Sequence, residues 1–183
     1  MSAQRIARRY ASALAALTNE QKKPAVIAGE LQIVKHAIEH SRGLRNVLVS
    51  PIISKGKKKA ILNEIFRNKA GEMVLRYLNA VVDKGREMFL GEILKQYFEL
   101  RDVEMGIVRV NVATSIEFSP KQENALEKKL ETITRKKVEA VFSVDTSLKG
   151  GFVARIGDTV LDGSILRQLQ IMKRKLKEGS LNN

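Results

Sequence analysis

Apolar residues recur every three or four positions through the first part of the chain and then alternate with polar ones, so helices give way to strands partway along. From about Gln4 to Thr18, Ile6, Tyr10, Ala13, Leu14 and Leu17 share one helical face. A second stripe, Ala3, Ala7, Ala11 and Ala15, lies on the other side, where small side chains let a neighbouring helix approach closely. Pro24 to about His40 carries Ile27, Leu31, Val34 and Ile38 on one face. Leu44, Val47 and Leu48 predict a short helix before the break at Ser50-Pro51. Ser54 caps the next helix, with Ile61, Leu62, Ile65 and Phe66 expected in the core. Gly71 precedes a helix running to about Asp83, with Val74, Leu75, Leu78, Val81 and Val82 apolar, and Gly85 ends it. The last helix of this part presents Leu90, Ile93, Leu94, Tyr97 and Leu100.

The alternation starts at Ile107, with Val108, Val110 and Val112 on one face and Arg109 and Asn111 on the other. Ser119-Pro120-Lys121-Gln122 is a helix start: a capping serine, a proline at the first turn and Gln at the third position. Leu126, Leu130 and Ile133 are that helix's expected buried face. Val138, Ala140, Phe142 and Val144 alternate as a second strand. Gly150-Gly151 leads into a short strand from Phe152 to Ile156, and Gly157-Asp158 turns into another from Thr159 to Leu161. Asp162-Gly163-Ser164 opens a final helix with Ile165, Leu169, Met172 and Leu176, and the tail from Gly179 to Asn183 is expected to fray. The fold class is therefore α+β: a bundle of about six helices over residues 1–105, then a small α/β domain over residues 106–183.

Composition narrows the function. The 183 residues are 44% hydrophobic but only 5% aromatic, which suits an aliphatic, alanine-rich helical core. There is no cysteine, which excludes disulfides and thiolate metal sites. No apolar run approaches the roughly 18 residues of a transmembrane helix. No signal peptide precedes the first helical pattern, so a bacterial cytosolic protein is expected, with a mature, trimmed form as the alternative. The net charge is +13, a field that attracts anions such as nucleic acid, lipid headgroups or an acidic protein. It is spread along the chain: 19 basic and 11 acidic residues through Met105, 14 and 9 after it.

Candidate chemistry is sparse. His36 and His40 share a helix face, but Ala37 stands where a metalloprotease helix carries Glu, and no third ligand is near; they read as surface or partly buried histidines, and no metal is expected. Lys55, Lys57, Lys58 and Lys59 read as a solvated helix start or as a patch for phosphate or anionic lipid; no aromatic residue is interleaved for base stacking. Arg8 and Arg9 flank Tyr10 as exposed positions or as contacts for an acidic partner or nucleic acid. Gly150, Gly151 and Gly157 match no phosphate-loop spacing and read as turn residues. Asp162 reads as a helix cap and not a base. No nucleophile is paired with a base, so no catalytic residue and no cofactor is expected, and the role is binding or structural. The alternative this leaves open is a basic nucleic-acid- or ribosome-associated binding protein.

Two stretches go further. The segment from Asp145 to Ser164, with its Gly150-Gly151 pair, alternating strand, Gly157-Asp158, second strand and Asp162-Gly163-Ser164, resembles the signature of the ATP synthase delta subunit family, whose mitochondrial counterpart is the oligomycin-sensitivity-conferring protein. Ala7 to Leu14 looks like that family's first helix, and Lys84-Gly85-Arg86 is similar to its turn between the last two bundle helices. The resemblance implies a non-catalytic stator subunit on the cytoplasmic face of a bacterial cell membrane, coupling proton transport to ATP synthesis. It implies that the helical domain holds the amphipathic N-terminal helix of an alpha subunit, and that the C-terminal domain meets the end of the b-subunit stalk. It implies no nucleic-acid partner, and membrane association only through the complex. Carried over by position, the alpha-binding groove lies between the first and fifth helices, with Tyr10, Ala13, Leu14 and Leu17 on one wall and Leu75, Leu78, Asn79 and Val82 on the other. Lys173, Arg174, Lys175 and Lys177 belong to a basic surface expected to steer docking to an acidic stalk or head.

Overall fold

The computed structural model describes residues 3–179. The expected fraying tail from residue 180 onward lies outside them. The chain divides into two compact units between Arg101 and Asp102.

The first unit is helical: α1 (Ala3–Asn19), α2 (Pro24–His40), α3 (Arg42–Val49), α4 (Lys55–Phe66), α5 (Glu72–Asp83), a 3-10 turn (Glu87–Phe89) and α6 (Leu90–Glu104), whose last turn holds the division. Its core gathers Leu14, Leu31, Val34, Leu62, Phe66, Val74, Leu78, Leu90, Ile93 and Leu94. Local signals open these helices. The Ser41 hydroxyl accepts from the Leu44 N–H (3.2 Å), the Ser54 hydroxyl from the Lys57 N–H (3.4 Å), and Pro24 occupies the first turn of α2. Gly71 has no side chain to cap α5; its own N–H donates instead to the Glu30 carboxylate of α2, at 2.8 Å.

α1 packs on its neighbours through the small-residue side expected to allow close approach, and most of its larger apolar residues stay partly open. Its buried face is the small-residue stripe: Ala7, Ala11 and Ala15 with Leu14 and Thr18. Ile6 and Tyr10 are half-buried, Ala13 is exposed, and Leu17 is 42% exposed. Alanines let α1 approach α2 and the 3-10 turn closely, so close packing wins over burying the larger side chains. Ile65, expected in the core, is 38% exposed, because α4 buries Lys58, Leu62 and Phe66 along one line.

The second unit contains β1 (Ile107–Thr114), α7 (Pro120–Thr134), β2 (Lys137–Val144), β3 (Phe152–Ile156), β4 (Thr159–Asp162) and α8 (Ile165–Gly179). The sheet order is β2-β1-β3-β4. β1 runs parallel to β2, with Val110 opposite Ala140, and antiparallel to β3, with Val112 opposite Ala154. β3 and β4 form a hairpin around Gly157-Asp158. The core is small: Val110, Val112, Leu126, Leu130, Val138 and Ala154. Ile133 and Val144, expected to bury, are both more than half exposed, lying at the end of their elements beyond this cluster. The free edge of β2 is guarded by α7: Glu131 accepts from the Val138 N–H (3.2 Å) and Glu127 from the Ala140 N–H (3.3 Å). On the open sheet face Arg109 donates through Nε to Asp102 (2.5 Å) and lies 3.1 Å from Glu139.

The Gly-rich segment is where two backbone passes touch. Gly151 sits at φ +83°, and a Cβ on it would lie 2.3 Å from the Gly163 carbonyl oxygen. A Cβ on Gly163 would meet the Phe152 ring at 2.9 Å. With both side chains absent, the Gly163 N–H donates to the Phe152 carbonyl (2.9 Å) and the Ile165 N–H to the Gly150 carbonyl (3.0 Å). Ser164, not Asp162, caps α8: its hydroxyl accepts from the Arg167 N–H (3.2 Å). Asp162 fixes the turn by accepting from the Ser164 N–H (2.9 Å); the Ser164 side chain first, and this backbone bond second, hold its carboxyl below the ordinary value.

Candidate functional site

A groove of about 450 Å³ opens between α1 and α5, lined by Arg9, Tyr10, Ala13, Tyr77, Ala80, Val81 and Lys84. Tyr10 and Ala13 come from the half-open face of α1, the side that alanine packing left free. Tyr77 closes the floor. It is 8% exposed, and its hydroxyl donates to the Tyr10 carbonyl at 3.0 Å, tying the two walls together. Burial, with a smaller contribution from Tyr10, pushes the Tyr77 phenol well above its ordinary range, so it keeps its proton and stays a donor. Ala80 and Ala13 are small, which leaves room between the walls.

Of the residues carried over from the resemblance, Tyr10 and Ala13 line this groove, and Leu17 lies exposed further along α1. Leu14, Leu78 and Val82 are completely buried in the core, so they hold the walls and present no surface. Leu75 and Asn79 are half-buried, and Asn79 Nδ2 donates to Asn63 Oδ1 of α4 at 3.1 Å. On α5 and its C-cap the groove residues Tyr77, Ala80, Val81 and Lys84 are each two positions on from Leu75, Leu78, Asn79 and Val82, which is about 200° around a helix. One flank of α5 is taken by α4, and the other faces α1. Apolar periodicity marks the core side of α5 but not which flank stays open. Ala80 and Lys84 carry no apolar signal, so sequence reasoning passed over them.

The lysine cluster is committed within the fold. Lys55 Nζ donates to the Asp83 carbonyl (2.7 Å), and Lys59 pairs with the Asp83 carboxylate (2.7 Å). Lys58, 4% exposed, donates to the Leu48 carbonyl (2.8 Å) and to Glu87 (2.7 Å). These three cations satisfy the C-terminal end of α5 and the turn after it, and Lys57 alone of the four points out without such a partner among the described residues. His36 and His40 stack with ring centroids 3.9 Å apart, and His40 Nδ1 lies 3.0 Å from the His36 carbonyl oxygen. Among the described residues no three His, Cys, Asp or Glu side chains form a metal-holding group.

The second unit offers a different surface. Ile165, Leu166, Leu169, Met172 and Leu176 of α8 are 48–76% exposed, an apolar stripe at helical spacing. Beside its start, a cleft of about 150 Å³ opens between α7 and the β3–β4 hairpin, lined by Leu126, Ile133, Phe152 and Leu161.

Comparison with known proteins shows what the chain as a whole is similar to. Residues 6–176 match the family described as ATP synthase delta (OSCP) subunit. ATP synthase subunit delta of Chloroherpeton thalassium is 35% identical over 177 residues, covering 97% of each chain. The subunit delta of Desulforamulus reducens is 39% identical over 171 residues, covering 93% of this chain and 94% of its own. Among solved structures, a chain of the Toxoplasma gondii mitochondrial ATP synthase hexamer has the same fold, with a TM-score of 0.70 at 19% identity, covering 93% of this chain and 96% of that one.

Proposed function

The chain belongs to the ATP synthase delta (OSCP) family, and from that membership we propose how it grips its two neighbours. It is a stator subunit, part of the peripheral stalk of the F-type ATP synthase, and this replaces the reading as a nucleic-acid-binding protein. It is a peripheral part of a membrane complex, and no described helix is long and apolar enough to cross a membrane.

The role is mechanical and not catalytic. One charge crossing 100 mV releases only about 2.3 kcal/mol, so several must be pooled through the rotor for each ATP. The pooled torque acts on the catalytic head as well as on the rotor, and the head must be held. A single polypeptide holds it by gripping the head with one unit and the stalk with the other. The helical unit takes the amphipathic N-terminal helix of an alpha subunit into the α1–α5 groove. The second unit meets the C-terminal end of the b subunit through the apolar stripe of α8. The complex places the chain at the cytoplasmic face of the membrane, with no membrane contact of its own and no nucleic-acid partner.

The observation that carries the first grip is the open apolar groove whose walls meet at Tyr10, Ala13 and Ala80 and whose floor is pinned by Tyr77. Ala13 is exposed, so Ala13→Glu fills the groove without entering the core. Calorimetric titration with the alpha-subunit N-terminal peptide tests it: affinity falls roughly 5- to 150-fold, from the ~1–3 kcal/mol that a poorly satisfied polar group costs in an apolar contact. Unchanged affinity removes the groove from the reading.

A further inference from the structure

We infer that the α1–α5 groove selects an acidic amphipathic helix, one with carboxylates on both borders of its apolar stripe, through Arg9 on one wall and Lys84 on the other. This rests on the groove reading above and adds the chemistry of its occupant. Arg9 and Lys84 both line the groove. Neither makes an ion pair among the described residues, and the same holds for Arg5 and Arg8 on α1. The other helices neutralise cations locally: Lys35 pairs with Glu39 on α2, Arg67 with Glu64 at the end of α4, and Arg76 with Glu72 on α5. α1 contains three arginines and no acidic residue, so it has no means of doing so. The helical unit as a whole holds 19 basic against 9 acidic residues through Arg101, and its field adds to the local one.

An apolar cleft between two uncommitted cations rejects a basic helix by repulsion and desolvation, and it accepts a carboxylate at either rim. Because the rim is exposed, the pairs contribute more to partner choice and association rate than to final affinity. Lys58 and Lys59 cannot do the same, since Glu87 and Asp83 already pair with them.

The test uses the full chain and two peptides: the alpha-subunit N-terminal helix, and the same peptide with every Asp and Glu changed to its amide. The double variant Arg9→Glu, Lys84→Glu binds the native peptide about tenfold more weakly at low salt, as two reversed rim pairs predict. The loss shrinks at high salt and vanishes against the amide peptide. A control reversing two exposed lysines on the α4 side, Lys57→Glu with Lys69→Glu, leaves binding within about twofold. Native binding that is unaffected by the groove reversal, or weakened equally by the control, overturns the inference and leaves the groove reading standing. No binding of the native peptide to the wild-type chain overturns the groove reading, and the inference falls with it.

Discussion

The Tyr77 hydroxyl donates to the Tyr10 carbonyl across 3.0 Å, joining α5 to α1 at the floor of an otherwise open groove. That hydrogen bond adds a polar tie at the floor to the apolar packing of Leu14, Leu78 and Val82 behind the walls, and with it sets their spacing.

Removing it tests that role. Tyr77→Phe keeps the ring and deletes the donor, so the helical unit loses about 1 kcal/mol in urea denaturation. The affinity for the alpha-subunit peptide falls as well, because the walls are no longer held in register. A variant with the wild-type midpoint and affinity would show that the bond does not set the spacing.

Lys58 and Glu87 make a second relationship of the same kind, fully inside the bundle. Lys58 is 4% exposed and holds both the Leu48 carbonyl and Glu87. Lys58→Met leaves the Glu87 carboxylate buried without its cation, and the unit is destabilised by about 3–5 kcal/mol. The double change Lys58→Met with Glu87→Leu recovers most of that loss. A chemical-denaturation cycle over the four proteins reads both values, and additive losses would contradict the pairing.

The Gly-Gly signature makes a sharper case. Gly151→Ala meets the Gly163 carbonyl at 2.3 Å from a backbone at φ +83°, a conformation that itself costs about 1–3 kcal/mol for a side-chain-bearing residue. The second unit has a core of only a few residues to oppose that. Amide NMR resonances of β3, β4 and the start of α8 lose their native positions while those of α2 to α5 keep theirs. An unchanged spectrum would mean that the backbone passes can separate without cost.

Much of this architecture was legible in the sequence because its signals are local. Pro24, Ser54, Ser119-Pro120 and the alternating valines of β1 mark their elements through caps, φ restriction and period, which need no partner to act. Where two helical faces competed, the sequence could not arbitrate. Both faces of α1 carry a packing signal, and the alanine face is the buried one because close approach depends on what α2 and the 3-10 turn present. The same limit holds on α5, where the open groove is lined by Tyr77, Ala80 and Lys84 and the residues named from sequence are Leu75, Leu78, Asn79 and Val82. Which flank α4 occupies is settled by a contact between residues distant in sequence, Asn63 with Asn79. The lysine cluster illustrates a third case: charge shows in composition, but its commitment to Asp83 and Glu87 exists only after folding.

The measurement that bears most directly on the two-grip account is ATP-driven proton pumping in membranes stripped of this chain and reconstituted with it. Wild-type chain restores pumping. Ala13→Glu, which blocks the groove, and Leu169→Glu with Met172→Glu, which breaks the α8 stripe, each leave ATP hydrolysis by the head intact and pumping unrestored. Full restoration by both variants would contradict the account.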